Sequence, residues 1–329
     1  MPAVTESITK NRQPTAVLQA MLTRALGPDA VLDDAHEITH GWFNVVYRVR
    51  LRSGRTVVVK VAPPAGVDVL TYERDMLATE VRALRLVREH TDVPVPDVLF
   101  VDDSRELCDA DWFVMSFVDG DNLSVVQDSL TRDERDAYDH LLGAANRTLN
   151  AIVGDHFGPI GGPGGTQWRP VFLGMLDDVL VDGERLGVDL GHSYDDIRAV
   201  VAAHADCLDE VVEPRFVEWD LWTGNVLVRD GVIAGIVDHE RALYGDPLIE
   251  SGFTSAGTAA GTAFLRGYGR GPLTPSETRR RRLYDLYLFL VMTIETVYRG
   301  HTDPSQYDWA RTALDEAILR ARSDERPRP

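Results

Sequence analysis

The spacing of apolar residues along this chain switches between a helical and a strand-like period at identifiable points. Residues 14–27 place Val17, Leu18, Met21, Leu22 and Leu26 on one helical face, and Gly27-Pro28 stops the helix. Asn44–Leu51 and Thr56–Ala62 read as strands joined by a turn at Ser53-Gly54, and Pro63-Pro64 ends the second. Residues 68–89 return to the helical period through Leu77, Val81, Leu84 and Val87. Pro94 and Pro96 break that pattern, and strands follow at Val98–Val101 and Trp112–Val118. Helix, hairpin, helix and two strands predict a small α+β lobe over residues 1–118.

Past the turn Asp119-Gly120-Asp121 the helical period dominates, which predicts a second, mostly helical lobe over residues 119–329. Helices are predicted at 132–153, through the paired apolar residues from Val171 to Leu180, at 193–210, along the almost wholly apolar Leu283–Val297, and at 304–321. Between them Gly154 to Pro170, rich in Gly and Pro, reads as one long irregular loop. The only strand pattern in this half is Val226–Val228 and Val232–Val237 around Asp230-Gly231, a strong hairpin signal.

A length of 329 residues suffices for two lobes with ample core. Acidic residues outnumber basic ones by 52 to 34, a net charge of −18, which argues against a nucleic-acid partner. The same balance suits a cationic small substrate and serves solubility equally well. Two cysteines, Cys108 and Cys207, make no disulfide framework and lack metal-ligand spacing. The first 13 residues have no signal-like apolar core, and runs such as Leu286–Ile294 fall far short of the ~18 residues of a membrane span. A cytoplasmic protein without a membrane partner is the expectation.

Of the 34 basic residues only Lys10 and Lys60 are lysines. Lys60 ends the apolar run Val57-Val58-Val59, and an ammonium on a buried strand is costly unless it meets anions. Glu80, twenty residues on, shares the inward helical face of Ala83, Leu84 and Val87; Glu73 is its rival, and position in the kinase pattern favours Glu80 as the carboxylate partner. The strongest chemical signal is Asp220-Leu221-Trp222-Thr223-Gly224-Asn225, followed after the hairpin by Asp238. The Asp-Leu-x-x-x-Asn string matches the kinase catalytic loop, with Asp238 at the place of the metal-binding aspartate. Asn225 and Asp238 are oxygen ligands of the kind Mg²⁺ prefers.

Thr39–Tyr47, with a single glycine at Gly41, lies where a phosphate-covering loop belongs, and amides from Trp42 to Asn44 would face phosphate oxygens. Phe113–Gly120 runs into a glycine turn at the lobe boundary and would offer backbone groups to an adenine edge. Glu250, Asp285 and Glu295, acidic residues in largely apolar surroundings, are candidates for binding a cationic acceptor.

Together these residues resemble the aminoglycoside phosphotransferase family, in the kinase-like superfamily that also holds choline and fructosamine kinases. The likeness runs from about Glu37 to about Tyr298 and is most specific in Trp219–Val226 and Val237–Pro247. It implies a bilobal protein-kinase-like α+β fold, ATP or GTP as donor, Mg²⁺, and an alcohol hydroxyl on an antibiotic, amino sugar or related metabolite as acceptor. It further implies Asp220 as catalytic base, Asn225 and Asp238 as Mg²⁺ ligands, Lys60 on the phosphates with Glu80 as partner, and Ser116 and Val118 holding adenine through their backbone. The chain departs from the family at Glu218-Trp219, where His-Gly is usual, which opens the question of how the catalytic loop is held. That departure also sustains an alternative: a nucleotide-binding pseudokinase or partner-binding module without turnover. Pro247 follows Asp238 by only nine positions, too few for an activation segment, so a protein substrate is not expected.

Overall fold

Strand β3 (Thr56–Val61) lies at the centre of a five-stranded antiparallel sheet and carries Lys60. The computed structural model describes residues 7–39, 41–256 and 261–322. Around β3 the strands β1 (Leu32–Ile38), β2 (Val45–Leu51), β4 (Val98–Asp102) and β5 (Trp112–Ser116) take the order β1-β2-β3-β5-β4. Alternation along β3 feeds two cores. Val57, Val59 and Val61 pack with Leu18, Met21 and Leu22 of helix α1 (Thr15–Leu26). Val58 joins Leu77, Val81 and Leu84 of helix α2 (Met76–His90) in a core that continues into the rest of the molecule. Lys60 shares the parity of Val58 and therefore faces α2.

Two departures from the sequence pattern have plain causes. Strand β1 has no apolar alternation because it is a half-exposed edge strand, pairing only with β2. The helix expected over 68–89 begins at Met76; Thr71–Glu73 form a separate tight turn, and Asp75 at φ 60° breaks the path between them.

The C-terminal lobe contains β6 (Asp121–Asn122), α3 (Leu123–Val126), α4 (Arg132–Leu149), β7 (Gly158–Pro159), α5 (Trp168–Leu186), α6 (Tyr194–His204), β8 (Arg215–Val217), β9 (Val226–Arg229), β10 (Val232–Ile236), β11 (Leu243–Gly245), α7 (Gly261–Tyr268), α8 (Pro275–Tyr298) and α9 (Ser305–Arg322). Helix α8 starts where its capping box dictates: Thr274 accepts from the Glu277 amide, Glu277 returns the bond, and Pro275 opens the first turn. The β9–β10 hairpin turns through Asp230 and Gly231, both at positive φ, as its sequence predicted. Strands β6, β7, β8 and β11 are too short to leave a period in the sequence; they make the small ladders β10-β9-β6 and β7-β11-β8. The long Gly/Pro loop is pinned within itself by paired backbone bonds between Phe157 and Gly165 and ends where α5 starts. Among the described residues no helix is long and apolar enough to cross a membrane.

Candidate active site

The Lys60 ammonium is the hub of the cleft. It lies 2.6 Å from Glu80 on α2, 2.5 Å from Asp238 and 2.9 Å from Glu240, both beyond the end of β10. Lys60 and Glu80 are almost sealed, at 3% and 1% side-chain exposure, whereas Asp238 is 33% exposed and so opens toward a ligand. The rival Glu73 is drawn off to Arg299, 3.0 Å away. Burial works against the Lys60 charge, but Asp238, Glu240 and Glu80 outweigh it and hold the ammonium well above the ordinary lysine range. Glu240 shows the opposite balance: burial, then the Asp238 charge, push its carboxyl up to about 8 despite Lys60.

Three carboxylates around one ammonium leave an excess of negative charge in a buried place. Oxygen atoms of Glu80, Asp238 and Glu240 lie within 4.8 Å of one another. Lys60 occupies the point where the three converge, so a divalent cation would bind at the open side of Asp238 and offset part of the remaining charge.

The catalytic-loop segment is organised by short-range hydrogen bonds. The Asn225 side-chain amide donates to the Asp220 carbonyl at 2.9 Å, which leaves its Oδ1 for another partner. The Val237 amide donates to the Asn225 carbonyl at 3.0 Å, tying the approach to Asp238 to this loop. Asp238 takes a left-handed φ of 69° and starts a single turn that swings Glu240 back beneath Lys60. Asp220 is half-buried, and burial raises its carboxyl to about 6 against the pull of Arg241. Asp238 is among the charges that reach it.

The structure answers how a loop with Glu218-Trp219 is held. Glu218 Oε2 lies 2.5 Å from His239 Nδ1, both groups fully buried, and His239 Nε2 donates to the Ile236 carbonyl at 3.1 Å. A carbonyl only accepts, so Nε2 carries its hydrogen, and Glu218 and Nδ1 share one further proton. Burial alone would discharge the imidazole; Glu218 raises its pKa instead. This pair links the residues before Asp220 to the residue after Asp238. Trp219 adopts φ 62°, a left-handed conformation costing a bulky residue roughly 1–2 kcal/mol. It is held by stacking on Tyr287 at 5.0 Å, by the edge of Tyr72 at 5.7 Å, and by the Arg241 guanidinium at 5.3 Å.

In the loop before β2, Gly41 is exposed with open space around it, and Asn44 is buried, its side-chain amide hydrogen-bonded to Glu240. Glu240 and Asn44 thus connect the covering loop to the ammonium hub, a link the sequence reading missed although Asp238-x-Glu240 stood in its motif. The Ser116 amide is spent on the Asp97 carbonyl at 2.9 Å, and Val118 is half-buried beyond the end of β5.

The three acidic residues expected to receive a cationic acceptor do not offer open carboxylates. Glu250 is fully buried and lies between two tight turns rather than in a helix. Its Oε1 accepts from the Glu218 amide at 2.8 Å, Asn146 at 2.9 Å and Asn150 at 3.2 Å, so it braces the catalytic loop from behind. Asp285 is buried against Arg281 at 2.8 Å. Glu295 bridges Arg299 at 2.8 Å and Arg241 at 3.2 Å.

Comparison with known proteins agrees with this geometry. No curated protein matches the sequence. Among solved structures, a thermostable mutant of aminoglycoside phosphotransferase APH(4)-Ia in ternary complex with AMP-PNP and hygromycin B superposes with a TM-score of 0.65 at 19% identity, covering 92% of this chain and 98% of that one. A putative aminoglycoside phosphotransferase from Ralstonia eutropha gives 0.64 at 15% identity, covering 95% and 99%. The streptomycin–ATP complex of APH(2")-IIa gives 0.61 at 14%, covering 93% and 97%. These likenesses show a shared kinase-like fold. The family profile of the phosphotransferase enzymes matches residues 34–284, about three quarters of the sequence, and with that span the chain belongs to the phosphotransferase enzyme family.

Proposed function

We propose that this protein is a small-molecule kinase that transfers the γ-phosphoryl group of ATP to a hydroxyl of an aminoglycoside-like antibiotic, amino sugar or related metabolite. The observation that carries this reading is the convergence of Lys60, Glu80, Asp238 and Glu240 on one point in the cleft, beside the loop bearing Asp220 and Asn225. Phosphoryl transfer needs little beyond positioning and charge neutralisation, and that is what this cluster offers.

Lys60 binds the phosphates and is itself fixed by Glu80. Asp238 and the Oδ1 of Asn225 would hold Mg²⁺, which neutralises phosphate charge when bound. Asp220 orients the acceptor hydroxyl and takes its proton as the new oxygen–phosphorus bond forms and the bond to the β-phosphate oxygen breaks, leaving ADP. With the Ser116 amide engaged by Asp97, the adenine edge would be read by the Ser116 carbonyl and the Val118 amide, under a loop containing Gly41 and Asn44. Adenine nucleotides and aminoglycosides in the related complexes support the donor and acceptor classes. Since Glu250, Asp285 and Glu295 are engaged internally, acceptor recognition falls to other groups of the helical lobe.

The test is ADP release in the presence of Mg-ATP against a panel of hydroxylated compounds, aminoglycosides included. Acceptor-dependent ADP release is expected. Nucleotide-induced thermal stabilisation with no ADP above background across the panel contradicts the reading and favours a binding module without turnover.

A further inference from the structure

The second of the chain's two lysines also comes to the cleft. Residues 7–13, which precede α1, lie across the covering loop as a strap. The Thr9 hydroxyl donates to the Trp42 carbonyl at 3.1 Å and Lys10 Nζ to the Asn44 carbonyl at 2.7 Å. The Gln13 amide donates to the Tyr47 hydroxyl at 2.7 Å, and the Ile8 amide reaches the Arg299 carbonyl at 3.3 Å, so the strap also touches the helical lobe. Ser7, Thr9 and Asn11 are buried, which makes the strap part of the folded structure. The family match begins only at residue 34, and the motifs that define the family leave this segment without a role.

Lys10 differs from the enclosed cations elsewhere in the fold. Lys60, Arg241, Arg280, Arg281 and Arg299 each face a carboxylate. Lys10 is half-buried, yet among the described residues its ammonium has no ion-pair partner and makes the single hydrogen bond to Asn44. Glu37, whose charge favours it most, is taken by Arg12 at 2.7 Å. Burial lowers the Lys10 pKa, and the charges of Arg12 and Lys60 add to that. A partly desolvated ammonium pressed toward a second ammonium lacks an anion, and the place is the rim of the loop expected to cover phosphates. A chain that uses arginine at all but two of its 34 basic positions places both lysines there. A compact ammonium with three donors suits phosphate oxygens approached end-on.

We propose that Lys10 is a nucleotide-binding residue: the strap of residues 7–13 carries its ammonium over the covering loop to the terminal phosphates of the bound triphosphate, which supply its missing counter-ion. This rests on the kinase reading above and adds to it a phosphate contact from outside the family's motifs.

Calorimetric titration of AMP-PNP with Mg²⁺, and separately of adenosine, into the wild type, Lys10→Met and Lys10→Arg tests it. Lys10→Met is expected to weaken AMP-PNP about tenfold, the worth of one charge-assisted hydrogen bond, and leave adenosine unchanged, while Lys10→Arg, which keeps the charge but not the compact ammonium, recovers only part of the loss. Thermal unfolding without nucleotide confirms that the variants are folded. Unchanged AMP-PNP affinity in Lys10→Met overturns the proposal, and so does an equal loss for adenosine, which would mark a structural role for the strap. A wild type that binds neither ligand contradicts the kinase reading itself, a result distinct from either of these.

Discussion

Two groups of buried or half-buried carboxylates in this molecule look alike in sequence and behave differently in the fold. At the cleft, Glu80, Asp238 and Glu240 crowd one ammonium, and burial, then the Asp238 charge, push Glu240 up to about 8. In the helical lobe the balance is local: Asp285 has Arg281, and Glu295 has both Arg241 and Arg299. Glu250, without a cation, is met by two asparagine amides and one backbone amide. A carboxylate matched within the protein holds the scaffold together, whereas a cluster left overcharged awaits a cation. On the proposed reading a ligand completes the cleft cluster, whereas the helical-lobe carboxylates already have partners within the fold.

The largest effect on that comparison is expected at Asp220, which among the described residues no cation pairs directly. Asp220→Ala should lower kcat about a thousandfold through loss of a positioned base, with nucleotide affinity held within about twofold in calorimetry. Turnover at the wild-type rate removes Asp220 from its role.

A balanced carboxylate should break differently. Glu295→Ala leaves buried guanidinium charge at Arg241 and Arg299 undercompensated, and about 3 kcal/mol of unfolding free energy should be lost in denaturant titration. A loss below about 0.5 kcal/mol, the range of an ordinary surface change, would place Glu295 outside the scaffold.

The smallest effect separates the two groups by pH. Burial holds the Glu250 carboxyl at about 7 in the folded protein, against about 4.5 for the group in water. Between those values the folded chain keeps a proton that the unfolded chain has released. The stability this group contributes is therefore full below about 4.5 and is lost as pH rises through 7. Glu250→Gln should remove that part of the slope in Tm against pH. An unchanged slope would assign it to other groups.

Much of the cleft was legible because its residues stand at short, chemically unusual spacings. Lys60 was conspicuous in an arginine-rich chain, and Asp220, Asn225 and Asp238 frame a hairpin that Asp230-Gly231 announces. Glu80 against Glu73 was decided by position in the kinase pattern, since residues seven apart share one helical face, and the structure starts α2 only at Met76, beyond Glu73. Strand β1 escaped because one face of an edge strand can stay polar. The bracing pair Glu218–His239 escaped because it joins positions 21 residues apart through tertiary contact. The internal partners of Asp285 and Glu295 had a signal in hand: Arg281 precedes one by four residues and Arg299 follows the other by four, the spacing of a helical ion pair. Arg241, approaching Glu295 from a distant turn, had none.

The central claim is that the overcharged cluster exists to hold a metal-bound nucleotide triphosphate. Titrating AMP-PNP into the wild type and Asp238→Ala, each with and without Mg²⁺, tests it most directly. Wild-type affinity should rise at least about tenfold with Mg²⁺, as the metal offsets charge on both sides, and Asp238→Ala should lose that gain. Affinity indifferent to Mg²⁺ in the wild type, or a full Mg²⁺ response surviving in Asp238→Ala, would contradict the account.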